Sequence, residues 1–408
     1  MTRGAWSWGA YAALLVALPL AFRSGFAMSL FCQAGIVAIF ALSYNMLLGQ
    51  TGLLSFGHAV YYGLGALFTI HALNLAAAGW HLPVTLMPLV GAAGGLAFGI
   101  VLGYITTRRA GTTFAMISLG VGEMVAACSL MFPKFFGGEA GVSANRTLGE
   151  PFLGITYGPQ IQMYYLIAAW LLVCTAAMYA LTRTPLGRMA NAVRDNPQRA
   201  QFVGYDPQRV RFMMVALSGF FAGLAGGLAA LNYEIVSAES LSAYTSGLVL
   251  LATYLGGIRN FAGPILGAVA VTLMQTVLAS FTTAWPFYFG LVFLATVLFV
   301  PGGIAEILQL HKRLWKARLA RRVAPVYARM ALPVGLALAL GVLLVEMAYR
   351  ASAGVTLKLA GWQLDTRSAA AWVAVTAGFA VACFLWRLAW RSARVRWTEV
   401  SAAIGDAQ

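Results

Sequence analysis

Apolar positions along this chain form neither a two-residue alternation nor a one-sided helical stripe. They run almost continuously for about 20 residues at a time and are then broken by short polar turns. A helix needs about that length to cross roughly 30 Å of hydrocarbon, so each run predicts a membrane-crossing helix. The runs cover 7–22, 26–48, 58–79, 83–106, 112–131, 161–182, 210–231, 244–259, 262–280, 284–306, 331–349 and 369–390. The predicted fold is all-α, a polytopic membrane helical bundle with about 10 core spans and a two-helix C-terminal extension. The corresponding divisions are a membrane-spanning core over 1–311, a basic linker over 312–330 and the extension over 331–408.

Composition moves the chain out of the soluble class. It is 61% hydrophobic and 10% charged, where soluble domains are about a quarter charged; mean hydropathy is +0.79. The net charge of +15 would suggest nucleic acid in a soluble protein. Here its distribution gives topology. With the N-terminus inside, alternating sides place 21 of the 27 Lys and Arg residues on the cytoplasmic face, the bias the positive-inside rule expects. Both termini then lie in the cytoplasm, and nucleic acid is not an expected partner. The first run reads as a retained span rather than a cleaved signal. Cys32, Cys128, Cys174 and Cys383 stand singly in apolar runs and read as small buried hydrophobes. No metal or cofactor motif is present.

Two places break the apolar pattern. The cytoplasmic segment 183–209 puts Leu186, Met189, Ala190 and Val193 on one face of a short helix starting at Pro185. Asn196-Pro197 is an N-cap followed by proline and opens a second helix, Gly204 fits its stop, and Asp206-Pro207 opens the next span. Two short amphipathic helices at an angle are therefore expected. They fit either a lipid-resting segment held by its arginines or a docking element for a soluble partner.

The other break is "SYNMLLGQTGLLSFGHAVYYGLGAL", 43–67. Glycines and polar groups here weaken a helix where unpaired backbone groups facing lipid would cost several kcal/mol each, by order of magnitude. Tyr44, Asn45, Gln50, Thr51, Ser55 and His58, with Tyr61, are candidate pathway or gate residues. The alternative is a plain turn at the cytoplasmic end of the second span, with His58 at the surface. Glu123 lies near the middle of its span; it is either a pathway group or a helix-to-helix hydrogen bond. Outside the membrane, Glu139, Arg146, Glu234 and Glu239 are candidate contacts for an external partner protein, or else plain solvated charges. Glycines spaced by four (91, 95, 99 and 103; 219, 223 and 227; 263 and 267) predict close helix packing, with gating as the lesser alternative.

Four motifs carry a resemblance. They are Gly49, Gln50, Gly52, Ser55, Phe56, Gly57 and His58 in the broken segment; Thr184, Pro185, Gly187, Arg188, Ala192, Val193, Arg194, Asp195, Asn196, Ala200 and Gly204 in the loop; "YLGGIRNFAGPILGA", 254–268; and "LFVPGGI", 298–304. Over about 28–312 the chain resembles the permeases of ABC importers of the branched-chain amino acid class, the LivM type. The resemblance implies a second permease subunit, two ATP-binding subunits and a periplasmic solute-binding protein as partners, with membrane lipid around them. It implies that Arg188, Val193, Arg194, Asp195, Asn196 and Gly204 couple to the ATPases. None of the four lysines follows glycine as in a phosphate-binding loop, so the expected role is a transport subunit and not an enzyme. Urea, short amides or other amino acids fit the same architecture. An ion-coupled transporter would want more intramembrane acids than Glu123, and a membrane enzyme ranks last. The region after 312 departs from the family pattern.

Overall fold

The computed structural model describes residues 2–148, 154–316, 320–352, 357–359, 362–364 and 368–405. The helices are, in order, α1 (Thr2–Ala21), α2 (Gly25–Asn45), α3 (Ala59–Ala77), α4 (Met87–Thr106), α5 (Thr112–Met131), the one-turn α6 (Pro133–Phe136), α7 (Gln160–Arg183), α8 (Pro185–Asp195) and α9 (Pro197–Phe202). They continue with α10 (Pro207–Tyr233), α11 (Ala243–Gly256), α12 (Gly263–Leu273), the short α13 (Ala279–Phe281), α14 (Trp285–Phe299), α15 (Gly303–Lys316), α16 (Ala320–Ser352) and α17 (Ala369–Gly405). Strand is confined to two small antiparallel pairs among the described residues. β1 (Val142–Ser143) pairs antiparallel with β2 (Ile235–Val236), and β3 (Leu357–Leu359) with β4 (Trp362–Leu364).

Among the described residues nine helices are long and apolar enough to cross a membrane, or ten when the bent pair α14–α15 counts as one. Two shorter apolar helices, Trp6–Ala21 and Ala243–Gly256, account for the remaining predicted runs. The chain is a multi-span helical membrane protein. Its residues divide into two units, Met1–Leu278 with Leu291–Ala305, and Ala279–Gly290 with Glu306–Gln408.

In the first unit α10 is the central helix. Its apolar window is 89% buried, and it packs on α4, α3 and α2. The glycine stripes explain how. A Cβ on Gly95 would overlap the Gly219 carbonyl and come 2.8 Å from Gly223 Cα, and one on Gly223 would overlap the Gly91 carbonyl. Backbone therefore meets backbone along the α4–α10 seam. Lipid supplies no hydrophobic drive between helices, so this dispersion at close range is what holds them.

The outer loop after α5 is tied down by Arg146. Its guanidinium, buried with 7% exposure, donates to the carbonyls of Tyr157 (2.8 Å), Leu231 (3.1 Å), Asn232 (3.2 Å) and Gly158 (3.2 Å) and to Gln160 Oε1 (3.3 Å). Its own backbone N–H donates to Glu234 Oε1 at 2.8 Å. Glu234 closes α10 in the left-handed conformation, φ 57°. Arg146 and Glu234 thus join the loop to the ends of α7 and α10; Arg146, expected as an outside contact, is instead buried and bonded internally, while Glu234 is half-buried. Glu139 and Glu239 remain exposed.

The second unit is built on α16 and α17. Met347 and Val375 form its small buried core, with Leu340, Leu343, Leu344, Ala371 and Trp372 around them. Glu346 accepts from Tyr288 Oη at 3.2 Å and lies 3.7 Å from Arg350.

Candidate functional site

α2 does not stop where its apolar run ends. It continues as a π-helical turn, Met46–Thr51, closed by Gly52 in the left-handed region at φ 70°. Thr51 Oγ1 donates to the Leu47 carbonyl at 2.5 Å, an acceptor it shares with the backbone N–H groups of Gly52 and Leu53. The chain then turns back into the bundle. Tyr44 Oη donates to the Ser55 carbonyl at 3.0 Å, and His58 Nε2 lies 3.1 Å from Ser43 Oγ and 3.5 Å from Ser218 Oγ. Residues 55–58 therefore lie beside 43–44, about 12 Å back from the end of the helix at 1.5 Å per residue. The stretch 49–58 runs from one end of α2 into the interior, so both positions considered for it are occupied in turn. His58 has no exposed surface, which rules out the surface turn.

α3 begins at this interior level, and so does α11. The Ala59 N–H donates to Ser246 Oγ in the first turn of α11 at 2.9 Å. A Cβ on Gly63 would come 2.6 Å from Leu241 Cγ and 2.9 Å from the Ser240 carbonyl. The segment between α10 and α11 thus descends into the bundle before α11 starts, capped by Ser242. This is why α11 has only 14 residues; the apolar run counted as a span is partly non-helical.

The residues of this junction form a buried polar seam. Tyr44, Asn45, Gln50, Thr51, Ser55 and His58 are all under a tenth exposed, so the structure brings these predicted residues together. Asn45 Oδ1, Gln50 Oε1 and His58 Nδ1 are buried without a hydrogen-bond partner. Buried polar atoms are ordinarily paired, and an orphan costs about 1–3 kcal/mol. His58 is also packed by aromatic rings: stacked on Phe40 at 5.5 Å and edge-on to Tyr44 and Tyr61 at 5.2 and 5.6 Å.

Beyond Phe40 lies an open cleft of about 470 Å³. Ile36, Val37, Leu248, Val249 and Val271 give it an apolar wall, while Gln33, Glu239, Thr245 and Gln275 supply polar groups. Tyr62 stacks on Phe40 at 4.5 Å, and both rings line the cleft. One aromatic layer therefore separates the cleft from the His58 seam. Gln275 sits in a second π-helical turn, Met274–Leu278, and the adjacent Thr276 Oγ1 donates to Gln33 Oε1 at 3.1 Å. Apart from Glu239, considered only as an outside contact, the sequence pattern gave no reason to single out the cleft residues, because they are scattered over five segments of chain.

At the far end of α2 the four sequence motifs meet. A Cβ on Gly49 would come 2.7 Å from the Ile258 carbonyl, and one on Gly303 would come 2.6 Å from Gly257 N. Arg194 in α8 donates through Nη1 to the Gly49 carbonyl, and its Cγ would lie 2.9 Å from a Cβ on Gly52. α8 and α9 form the predicted pair. Thr184 caps α8 and Asn196 caps α9, accepting from Arg199 N at 2.9 Å. Ala190 and Val193 face inward, and Gly204 follows α9 at φ 94°. Arg188 is exposed, and Asp195 pairs with Arg194 at 2.9 Å. The apex carries Phe202, 91% exposed, and Val203, 70% exposed. The helix register had not marked these two.

Glu123 does not join the seam. It lies on the exposed face of α5 with Met116, Met124 and Met131, although the neighbouring Gly122 packs on Gly57 at 3.1 Å for a Cβ. His71 lies 2.7 Å from the Phe135 carbonyl. No group of three or more His, Cys, Asp or Glu residues among the described residues could hold a metal.

Comparison with known proteins agrees with this layout. Residues 26–301 match the family described as branched-chain amino acid transport system, permease component. The chain is similar to the high-affinity branched-chain amino acid transport system permease protein LivM of Escherichia coli K12, 29% identical over 60% of this chain and 62% of the relative. The match thus spans under two thirds of that relative's length. It is similar to the probable branched-chain amino acid transport permease protein LivH of Methanocaldococcus jannaschii, 25% identical over 67% of this chain and 90% of the relative. It is also similar to the autoinducer 2 import system permease protein LsrC of Enterobacter sp. strain 638, 29% identical over 74% and 87%. No solved structure matches the chain. With the family pattern covering about two thirds of its length, including the seam, the loop and the glycine contacts, the chain belongs to the permease components of branched-chain amino acid transport systems.

Proposed function

We propose that this chain is one membrane-spanning subunit of an ABC importer for branched-chain amino acids. A second permease subunit, two ATP-binding subunits and a periplasmic solute-binding protein complete the machine. The N- and C-termini lie in the cytoplasm of a bacterial inner membrane. The observation that carries the reading is the Arg194 contact with the Gly49 carbonyl. It joins α8, the docking element, directly to the π-helical end of α2 and so to the seam. An ATPase that grips Phe202 and Val203 and shifts α8 would pull on Gly49. The residues that feel this next are Gln50, Thr51, Ser55 and His58. The unpaired Asn45, Gln50 and His58 atoms are acceptors and donors that a second arrangement of the seam can satisfy. Phe40 and Tyr62 act as the gate between cleft and seam.

The cleft suits an aliphatic amino acid, with valine, isoleucine and leucine walls for the side chain and Glu239 and glutamine amides for the charged end. Glu123, on the outward face of α5, is assigned to the pathway wall shared with the second permease subunit, where a carboxylate is not left in lipid. Similarity to an autoinducer 2 import permease supports a second reading, in which a small polyhydroxylated solute uses the same gate. Uptake of labelled leucine, fructose and urea by cells lacking this chain, with and without its restoration, separates them. Restored leucine uptake supports the proposal, and fructose uptake alone favours the second reading. Transport by vesicles holding this chain without an ATP-hydrolysing partner would overturn both.

A further inference from the structure

The segment after residue 301 lies beyond the family match, and α15 is its most unusual helix. Glu306 is followed by Gln309, Lys312, Arg313 and Lys316 along one side. Ile307, Leu308, His311, Leu314 and Trp315 fall on the other, at the i, i+4, i+7 and i+8 spacing of a one-sided helix. The apolar side is not consumed by packing. Leu308 is 52% exposed and Trp315 80% exposed, while Leu314 alone is buried.

Two contacts fix the level at which this helix sits. His311 Nε2 lies 3.0 Å from Tyr327 Oη, and the two rings stack at 5.8 Å. Tyr327 is the third residue of the membrane-crossing stretch Pro325–Ala351. It therefore belongs to the boundary between hydrocarbon and water, where tyrosine and tryptophan concentrate. α15 is held at that boundary, at the start of a spanning helix and nine residues before it in sequence. An exposed apolar face held there has acyl chains beside it. The basic face then lies at headgroup height. Arg329, one turn into the same stretch and exposed, adds a cation at the same level, and Arg318, Arg321 and Arg322 follow α15 in the sequence.

We infer that α15 is an interfacial anchor whose Lys312, Arg313 and Lys316, with Arg329, hold the phosphates of anionic phospholipids while Ile307, Leu308 and Trp315 dip into the acyl boundary. The chemistry is that of basic amphipathic helices at a negatively charged leaflet. It commits the face to lipid: the helix is tethered at the membrane surface, and its cations outnumber its one acid. The inference needs only that the chain spans a membrane and stands apart from the transport reading.

The test uses the full chain in nanodiscs. The difference in fluorescence between wild type and Trp315→Phe isolates Trp315 from the other tryptophans. Its signal should be quenched by lipids brominated near the headgroup end of their chains. Native mass spectrometry then compares retained phosphatidylglycerol with phosphatidylcholine. The combined Lys312→Gln, Arg313→Gln and Lys316→Gln variant should lose selectivity by up to roughly fivefold per charge removed. Free glycerol phosphate in excess should not compete. A Trp315 that stays unquenched overturns the inference and leaves the face to a protein partner. Unchanged lipid selectivity in the triple variant also overturns it, and competition by glycerol phosphate reassigns the cations to a soluble phosphate.

Discussion

The first unit and the second bury their helices in opposite ways. The apolar window of α10 is 89% buried, whereas that of α17 is 11% buried. Both are apolar enough to cross a membrane, so hydropathy does not make the difference. What differs is what each presents to its neighbours. α10 offers glycine every fourth residue and receives the backbones of α4 and α3. α17 meets α16 through ordinary side chains around Met347 and Val375. Close approach recruits many neighbours around one helix, and side-chain packing of a helix pair leaves most of its surface for other partners. The first unit also holds unpaired polar atoms in its interior, in the seam around His58, while the polar groups of the second, Glu346, Arg350 and Tyr288, are mutually paired.

The strongest challenge to this contrast is steric. Gly223→Leu should abolish recovery of monodisperse protein, because its side chain has only the α4 backbone to displace. Gly335→Leu in α16, where a Cβ meets nothing within 4 Å, should leave yield and melting temperature near wild type. Equal damage from both would dissolve the distinction.

Next comes the buried cation. Arg146→Met strands the carbonyls of Tyr157, Leu231 and Asn232 and should lower stability by about 3 kcal/mol or more, read as a drop in melting temperature. Glu346→Gln keeps a Tyr288 partner and loses only a long contact to Arg350, so about 1 kcal/mol or less is expected. A larger loss at Glu346 would mean that the second unit, too, depends on a buried ionic centre.

A third variant separates stability from transport. Arg194→Ala removes the link to Gly49 and should reduce solute uptake several-fold at normal expression. Arg188→Ala, on the exposed side of α8, should reduce uptake less. Phe202→Ala should lower ATP-driven uptake while leaving stability within about 0.5 kcal/mol of wild type, read as a nearly unchanged melting temperature, since the side chain is 91% exposed. The smallest effect belongs to removal of 331–408, which should leave most uptake intact, measured with the same labelled solute.

Much of this architecture was legible in the sequence because bilayer length, glycine spacing and proline-linked caps are local signals. Each of the twelve apolar runs falls largely on helix, with the end of 244–259 and the middle of 284–306 left non-helical, and Asn196 and Gly204 delimit α9 as their types require. The depth of His58 was not legible. It depends on the chain folding back beside Ser43, a contact 15 residues apart in sequence, set by α5 and α10 packing. The cleft was hidden for the same reason, since Gln33, Tyr62, Glu239 and Gln275 share no local pattern. Glu123 shows the limit of a composition argument. An acid in mid-span stands out in composition, yet the side of α5 it occupies is fixed by the packing of Ser118 and Gly122 on Gly57.

That α3 and α11 both start inside the bundle has an electrical consequence. A helix start carries a partial positive charge of about half an electron, and here two of them adjoin, joined by the Ala59–Ser246 hydrogen bond. Away from water such a field is weakly screened. It raises the barrier to a bare proton or sodium ion at that level.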